Sequence, residues 1–215
     1  LTHDHADQVH GIDDVRAFHR DYYRPDNAVL IVIGNFEPAE LDAWVDQYFA
    51  PLKTPEAPLT RVTAVEPART GPGVFDGYGP NVPLPAVVLT WLGAEAASAD
   101  APALQVLDTI LSGGKSSRLY NALVYEQQIA VEAFSQADLP QQPGLFAVGA
   151  ILASSQTVEA GEAALLAEVA RLRDTPPTEA ELEEARNEVI AGALRERETV
   201  DGRAFALGYA WVTQA

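Results

Sequence analysis

The sequence predicts an α/β chain in which helix-period segments alternate with runs of β-branched residues. Three observations carry this. Residues 12, 15, 18 and 22 are apolar at helical spacing, and Ala28–Gly34 follows as an unbroken β-branched run. Later, the strand-like run Leu145–Leu152 leads into two long Ala/Leu/Glu-rich stretches. Hydrophobic content of 47% and charged content of 21% are ordinary for a globular protein, and 215 residues suffice for one large or two small domains.

Charge and composition exclude several function classes. With 31 acidic against 14 basic residues the net charge is −17, and no basic patch suits nucleic acid or an anionic membrane. No apolar run approaches the ~20 residues that span a bilayer, and no basic-plus-apolar leader is visible at Leu1. The absence of cysteine removes disulfides, thiol chemistry and cysteine-bound zinc, and it fits either cytoplasm or periplasm. The chain starts at Leu1 and contains no methionine, so an internal piece of a longer polypeptide is the preferred reading.

Taken in order, Leu1–His10 places His3, His5 and His10 near Asp4 and Asp7. Zinc peptidases instead space two histidines one helical turn apart with a glutamate on the same face, so a frayed polar terminus is expected here. Ile12–Tyr22 reads as a helix whose start is favoured by Asp13 and Asp14 at the positive end of the dipole. Arg24-Pro25 ends it, because the residue before a proline avoids the α region. Ala28–Gly34 then reads as a buried strand. Pro38 opens a second helix striped by Leu41, Trp44, Val45, Tyr48 and Phe49 and ending near Leu52. Prolines 55, 58, 67 and 72 make residues 53–73 an extended connection between residues 1–52 and 74–215.

In the second part Val74–Tyr78 and Pro85–Trp91 read as strands and Ala101–Leu111 as a helix. Ser116–Glu126 reads as a short helix with Leu119, Tyr120 and Leu123 inward. Strands are expected at Ile129–Phe134 and Leu145–Leu152, and helices at Val158–Arg173 and from Thr178 to about Glu198. Thr178 and Glu181 form a capping box at the start of the last of these. A further helix begins within Arg203–Val212. The acidic residues Glu179, Glu181, Glu183, Glu184 and Glu188 read as a solvated helix face.

Gly113-Gly114-Lys115-Ser116-Ser117 is the one loop that invites a ligand. A phosphate loop needs a further glycine five residues before Gly114, where Thr109 stands, and it should follow a strand rather than a helix. Nucleotide binding is therefore rejected. A tight turn is expected instead, with Gly113 and Gly114 at positive φ and Ser116 or Ser117 capping the next helix. No Gly-x-Ser-x-Gly elbow and no His-x-x-Glu-His occurs, so the residues alone reveal no catalytic constellation.

Longer stretches carry more. Asp14–Gly34 with Tyr48-Phe-Ala-Pro-Leu52, then Gly113–Ala130, then Pro177–Arg186, resemble in order the pitrilysin/insulinase-type zinc metallopeptidases, the family that includes mitochondrial processing peptidase. The resemblance implies a largely antiparallel sheet with helices on one face, of the half-domain type found in these peptidases. Residues 1–52 would be the tail of the catalytic-type domain and 74–215 the second, non-catalytic one, cut before its last helix–strand unit. Zinc would sit in the parent's upstream domain, and this part would hold none and cleave nothing. The parent would hydrolyse peptides in a chamber closed by the second domain, with another half-domain or a paired subunit as partner; the alternative is an assembly subunit without activity. A periplasmic parent is suggested by bacterial relatives.

The family's second domain often supplies an arginine and a tyrosine that hold substrate. Those positions are Val124 and Val131 here, and valine can neither donate to a carbonyl nor stabilise an oxyanion. Arg118 and Tyr120 remain, read as loop anchoring and core packing. Residues 12–52 are also expected to fill the vacant sheet position, in their own chain or as a swap in a homodimer.

Overall fold

The computed structural model describes residues 5–61, 63 and 70–214. Its contacts divide the chain into two units, Leu1–Phe75 and Asp76–Ala215. In the first unit, α1 (His5–Tyr22) is followed by a 3-10 turn at Pro25–Asn27 and by α2 (Pro38–Tyr48). The polar residues from His5 onward are helical rather than frayed, while His3 and Asp4 lie outside the described residues. Arg24 ends α1 as expected. Its guanidinium is buried, donates to both Asp26 oxygens at 2.8 Å and reaches the Pro55 carbonyl at 3.3 Å. The fork thereby ties the start of the proline-rich stretch to the turn. Pro38 takes the first turn of α2, which stops at Tyr48, before the expected Leu52.

Two expected strands do not form. Residues 28–34 pair with nothing among the described residues, and Val29, Leu30 and Val32 are about half exposed. Residues 74–78 likewise join no sheet, with Phe75 and Tyr78 almost fully exposed. Both runs have strand propensity, but a strand is made by ladder partners, and none is supplied.

The second unit contains β1 (Ala86–Leu92), α3 (Ala101–Ser112), a π-helical segment (Tyr120–Glu126), β2 (Ala130–Ala137), β3 (Leu145–Leu152), α4 (Val158–Asp174), α5 (Glu179–Glu196) and α6 (Val200–Gln214). The sheet is antiparallel in the order β1-β3-β2. Its registers run from Ala86↔Ile151 to Leu92↔Leu145 and from Ala133↔Ala150 to Ala137↔Phe146, with a bulge between Ala130 and Glu132. Period-2 alternation sends Phe146, Val148, Ala150 and Leu152 to one face. There they pack with Val87, Leu111, Leu119, Leu123 and Leu165, so α3, the π segment and α4 cover that face. On the other face Phe134 lies opposite Gly149 and fills the space of a side chain there, while Val88 and Leu92 are half exposed.

Local chemistry explains the helix ends. The Thr157 hydroxyl accepts from the Ala160 amide at the start of α4. At α5 the expected capping box is complete: Thr178 Oγ1 accepts from the Glu181 amide and Glu181 Oε2 from the Thr178 amide. Among the described residues no helix is long and apolar enough to cross a membrane.

Candidate functional site

The glycine loop is a clasp between α3 and α5. The Gly113 amide closes α3 on the Thr109 carbonyl at 2.7 Å. Only Gly114 is left-handed, with φ +82°; Gly113 has φ −71°, which corrects the expectation of two positive angles. Gly113 is needed for space instead, since a Cβ there would stand 2.5 Å from the Thr109 carbonyl oxygen. The serines do not cap the next helix either. Ser117, buried, donates from Oγ to the Gly114 carbonyl at 2.7 Å, and Ser116 Oγ donates to Glu184 Oε1 at 3.0 Å. The next turn is held by Asn121, whose side chain donates to the Ser116 carbonyl and whose amide donates to that of Ser117.

Arg118 forms the strongest contact. Nε and Nη2 donate to the two oxygens of Glu181 at 2.7 and 3.0 Å, and Nη1 reaches the Thr175 carbonyl at 3.4 Å. The Glu181 carboxylate therefore serves both the α5 cap and the Arg118 fork. Arg118 first, and the Thr178 amide second, hold it down to about 2. The acidic face of α5 is thus only partly a solvated surface: Glu181 and Glu184 turn onto the loop, and Glu188 lines the same cleft. That cleft, of about 30 Å³, has room for a water molecule. Three carboxylates around it oppose a phosphate, in line with the failure at Thr109.

Tyr120 is half-buried where the helix widens from α to π geometry, so the expected regular helix over Ser116–Glu126 is irregular. Val124 packs against the core, whereas Val131 is exposed beside the bulge. The structure gathers Gly113, Ser116, Ser117 and Arg118 at α5, and neither valine lines that cleft. Sequence reasoning missed Glu181 and Glu184 as partners of this loop. The capping box identified Glu181 locally, but nothing local pairs it with Arg118, 63 positions away. It also missed Glu168, which is only 6% exposed on α4. Arg171 Nη2 lies 2.9 Å from Glu168 Oε2, yet that oxygen has no well-directed hydrogen-bond donor. Burial pushes the Glu168 carboxyl up, against the opposing pull of Arg171 and Arg118.

Among the described residues no three His, Asp or Glu side chains converge where a metal could be held. Fold and loop together define a one-sided α+β domain organised around a structural clasp between α3 and α5. Residues 11–189 match the family described as Peptidase M16 inactive domain, and the chain belongs to that family. It is 28% identical over 173 residues to the zinc protease PqqE of Helicobacter pylori, covering 80% of this chain and 39% of that protein. A protease structure from Helicobacter pylori superposes with a TM-score of 0.84 at 25% identity, covering 94% of this chain and 49% of that one. An inactive peptidase domain from Bordetella parapertussis matches with a TM-score of 0.54 at 28% identity, over 60% of this chain and 70% of that one. The chain thus spans less than half the length of the two Helicobacter pylori relatives.

Proposed function

We propose that the chain is the non-catalytic half of a zinc-dependent endopeptidase and closes a proteolytic chamber over peptide substrates. The family match over residues 11–189, together with the similarity to zinc protease PqqE, carries this reading. Zinc and the attacking water would belong to a catalytic half, in the same polypeptide or in a paired subunit. Val124 and Val131 favour the paired arrangement, because neither offers a donor to a bound peptide. The same valines keep a second reading in view, an assembly subunit without activity.

The full-length protein, alone and with co-expressed neighbouring subunits, is to be assayed on a fluorogenic peptide library. Cleavage that stops with a chelator, returns with zinc and disappears when residues 76–215 are deleted supports the first reading. No cleavage with any partner, or an upstream sequence without His-x-x-Glu-His in every subunit of the complex, overturns it in favour of the assembly role.

A further inference from the structure

The inner face of α4 carries one residue out of keeping with its pattern. Gly161, Leu165, Glu168 and Leu172 recur at helical spacing, with Leu165 fully buried and Leu172 packed on the core. Glu168 thus takes a position that the spacing would give to an apolar side chain, and it is buried there. Its Oε2 has no well-directed donor, and its ion pair with Arg171 leads outward, since Arg171 is half exposed. A leucine at this position would leave no orphaned oxygen. What the carboxyl adds is a proton that can be gained and lost.

Few groups meet this carboxyl. α4 packs on β1, β3 and the π segment. β1 and β3 carry no ionisable side chain. The π segment carries Tyr120, Tyr125 and Glu126, and Arg118 stands just before it. The two charges act in opposite senses: Arg118 attracts the Glu168 carboxylate and Glu126 repels it. Arg118 is fixed by its fork onto Glu181 and by the Thr175 carbonyl. The far end of the segment has weaker ties. The Gln127 amide donates to the Ala122 carbonyl and the Ile129 amide to the Leu123 carbonyl, each at 3.0 Å. Between them Gln128 is left-handed at φ +53°, a costly conformation for a residue with a side chain, and Tyr125 is exposed. That end is the part of the segment that opens at least cost.

We propose that Glu168 is a proton-operated latch on the π segment: protonated, it lets α4 hold the whole segment, and ionised, it drives Glu126 away and frees Tyr125–Gln128 while Arg118 keeps the near end in place. Burial raises the pKa of Glu168 in the closed form, with Arg171 and Arg118 opposing the rise and Glu126 adding to it. Closure is therefore undisturbed below the ordinary carboxylate range. Opening grows as pH climbs from that range to the raised value of the closed form, and then levels off. Glu181, with a pKa of about 2, is ionised throughout that window, so the clasp is not what titrates.

The test uses the 215-residue chain and its Glu168→Gln and Glu126→Gln variants. Amide exchange is read as protection relative to an unstructured chain, which removes the intrinsic pH dependence of exchange. From about pH 4 to about pH 8, protection at Gln127 and Ile129 should fall about tenfold for each unit by which closure raises the Glu168 pKa. These amides should exchange faster than Val148 and Ala150 in β3 at every pH, the mark of a local opening. Glu168→Gln should abolish the fall, and Glu126→Gln, which removes the like charge, should shrink it. Carbon-13 NMR of the Glu168 carboxyl follows its titration in the unaltered chain, and it decides the matter if Glu168→Gln misfolds. The loss of protection should level off at the pH where that carboxyl has titrated. Constant protection across the range, an equal fall in Glu168→Gln, or an undiminished fall in Glu126→Gln would each overturn the proposal. So would exchange no faster than at Val148 and Ala150, or a Glu168 carboxyl that titrates in the ordinary range.

Discussion

Glu181 is where one side chain fastens three parts of the second unit: the loop after α3, the cap of α5 and, through Arg118, the chain near Thr175. Its pKa in the fold, about 2, lies below the ordinary value of a glutamate. The stability it contributes is therefore fully present above the ordinary carboxylate range and is lost as pH falls toward about 2. Arg118→Ala should cost about 1–2 kcal/mol at neutral pH, a modest figure because Glu181 is one-third exposed. Arg118→Lys should recover only part of it, since an ammonium cannot make the two-pronged contact. Urea unfolding at neutral and strongly acidic pH checks this; a cost that does not shrink on acidification would refute the pairing. Glu168 has the opposite sign. Burial raises its pKa in the fold, so its destabilising effect appears as pH rises through the ordinary carboxylate range and persists above it. Glu168→Gln should therefore unfold at an equal or higher urea concentration than the parent at neutral pH, with the difference vanishing in acid. A lower midpoint at neutral pH would show that Arg171, itself half exposed, compensates the buried charge after all.

At the scale of elements, what is local was legible in the sequence. Apolar spacing placed α3, Ala/Leu-rich composition placed α4, the capping box placed the start of α5, and Leu145–Leu152 was recognised over its full length. Ala28–Gly34 and Val74–Tyr78 were misread because β-branched composition reports a willingness to pair, while the pairing itself depends on strands elsewhere. The π segment was invisible for a related reason. Tyr120–Glu126 has an ordinary apolar stripe, and its wider turn satisfies the sheet and core on either side rather than a local preference. The glycine loop was half legible: Gly114 needs its positive φ, but Gly113 is fixed by the nearby Thr109 carbonyl, a contact no spacing rule predicts. The burial of this region makes a sharp contrast testable. Leu119, fully buried at the entry to the π segment, should cost about 2–5 kcal/mol on change to alanine. Val131, more than half exposed, should change stability by less than about 0.5 kcal/mol on the same substitution. Denaturant midpoints of the two variants decide whether the π segment belongs to the core or is a loosely attached connection.

For the whole molecule, the distribution of buried side chains between the two units is lopsided. Leu111, Leu119, Leu123, Leu152, Leu165 and Val148, the largest fully buried residues, all belong to the second unit. Among residues 11–61, 63 and 70–75 the one buried side chain is Arg24, while Phe18, Trp44 and Phe49 are about half exposed. A segment of that kind gains little from burial to offset the entropy of ordering its backbone, whatever its helix propensity. Its apolar side chains instead line an open groove of about 1120 Å³ that includes Phe18, Tyr22, Leu30, Val45 and Phe49. Residues 76–215 alone should therefore keep a cooperative unfolding transition close to that of the full chain. Residues 1–75 alone should show no cooperative transition and fast amide exchange throughout. If the shorter piece folds cooperatively by itself, its exposed groove is a finished surface. If instead it orders only when a preceding part of a longer polypeptide is supplied in trans, those side chains belong to the core of a neighbouring domain. Circular dichroism and amide exchange of residues 1–75, alone and mixed with that preceding part, separate these outcomes, and protection of Leu30 and Val32 only in the mixture would identify residues 28–34 as a strand completed from outside.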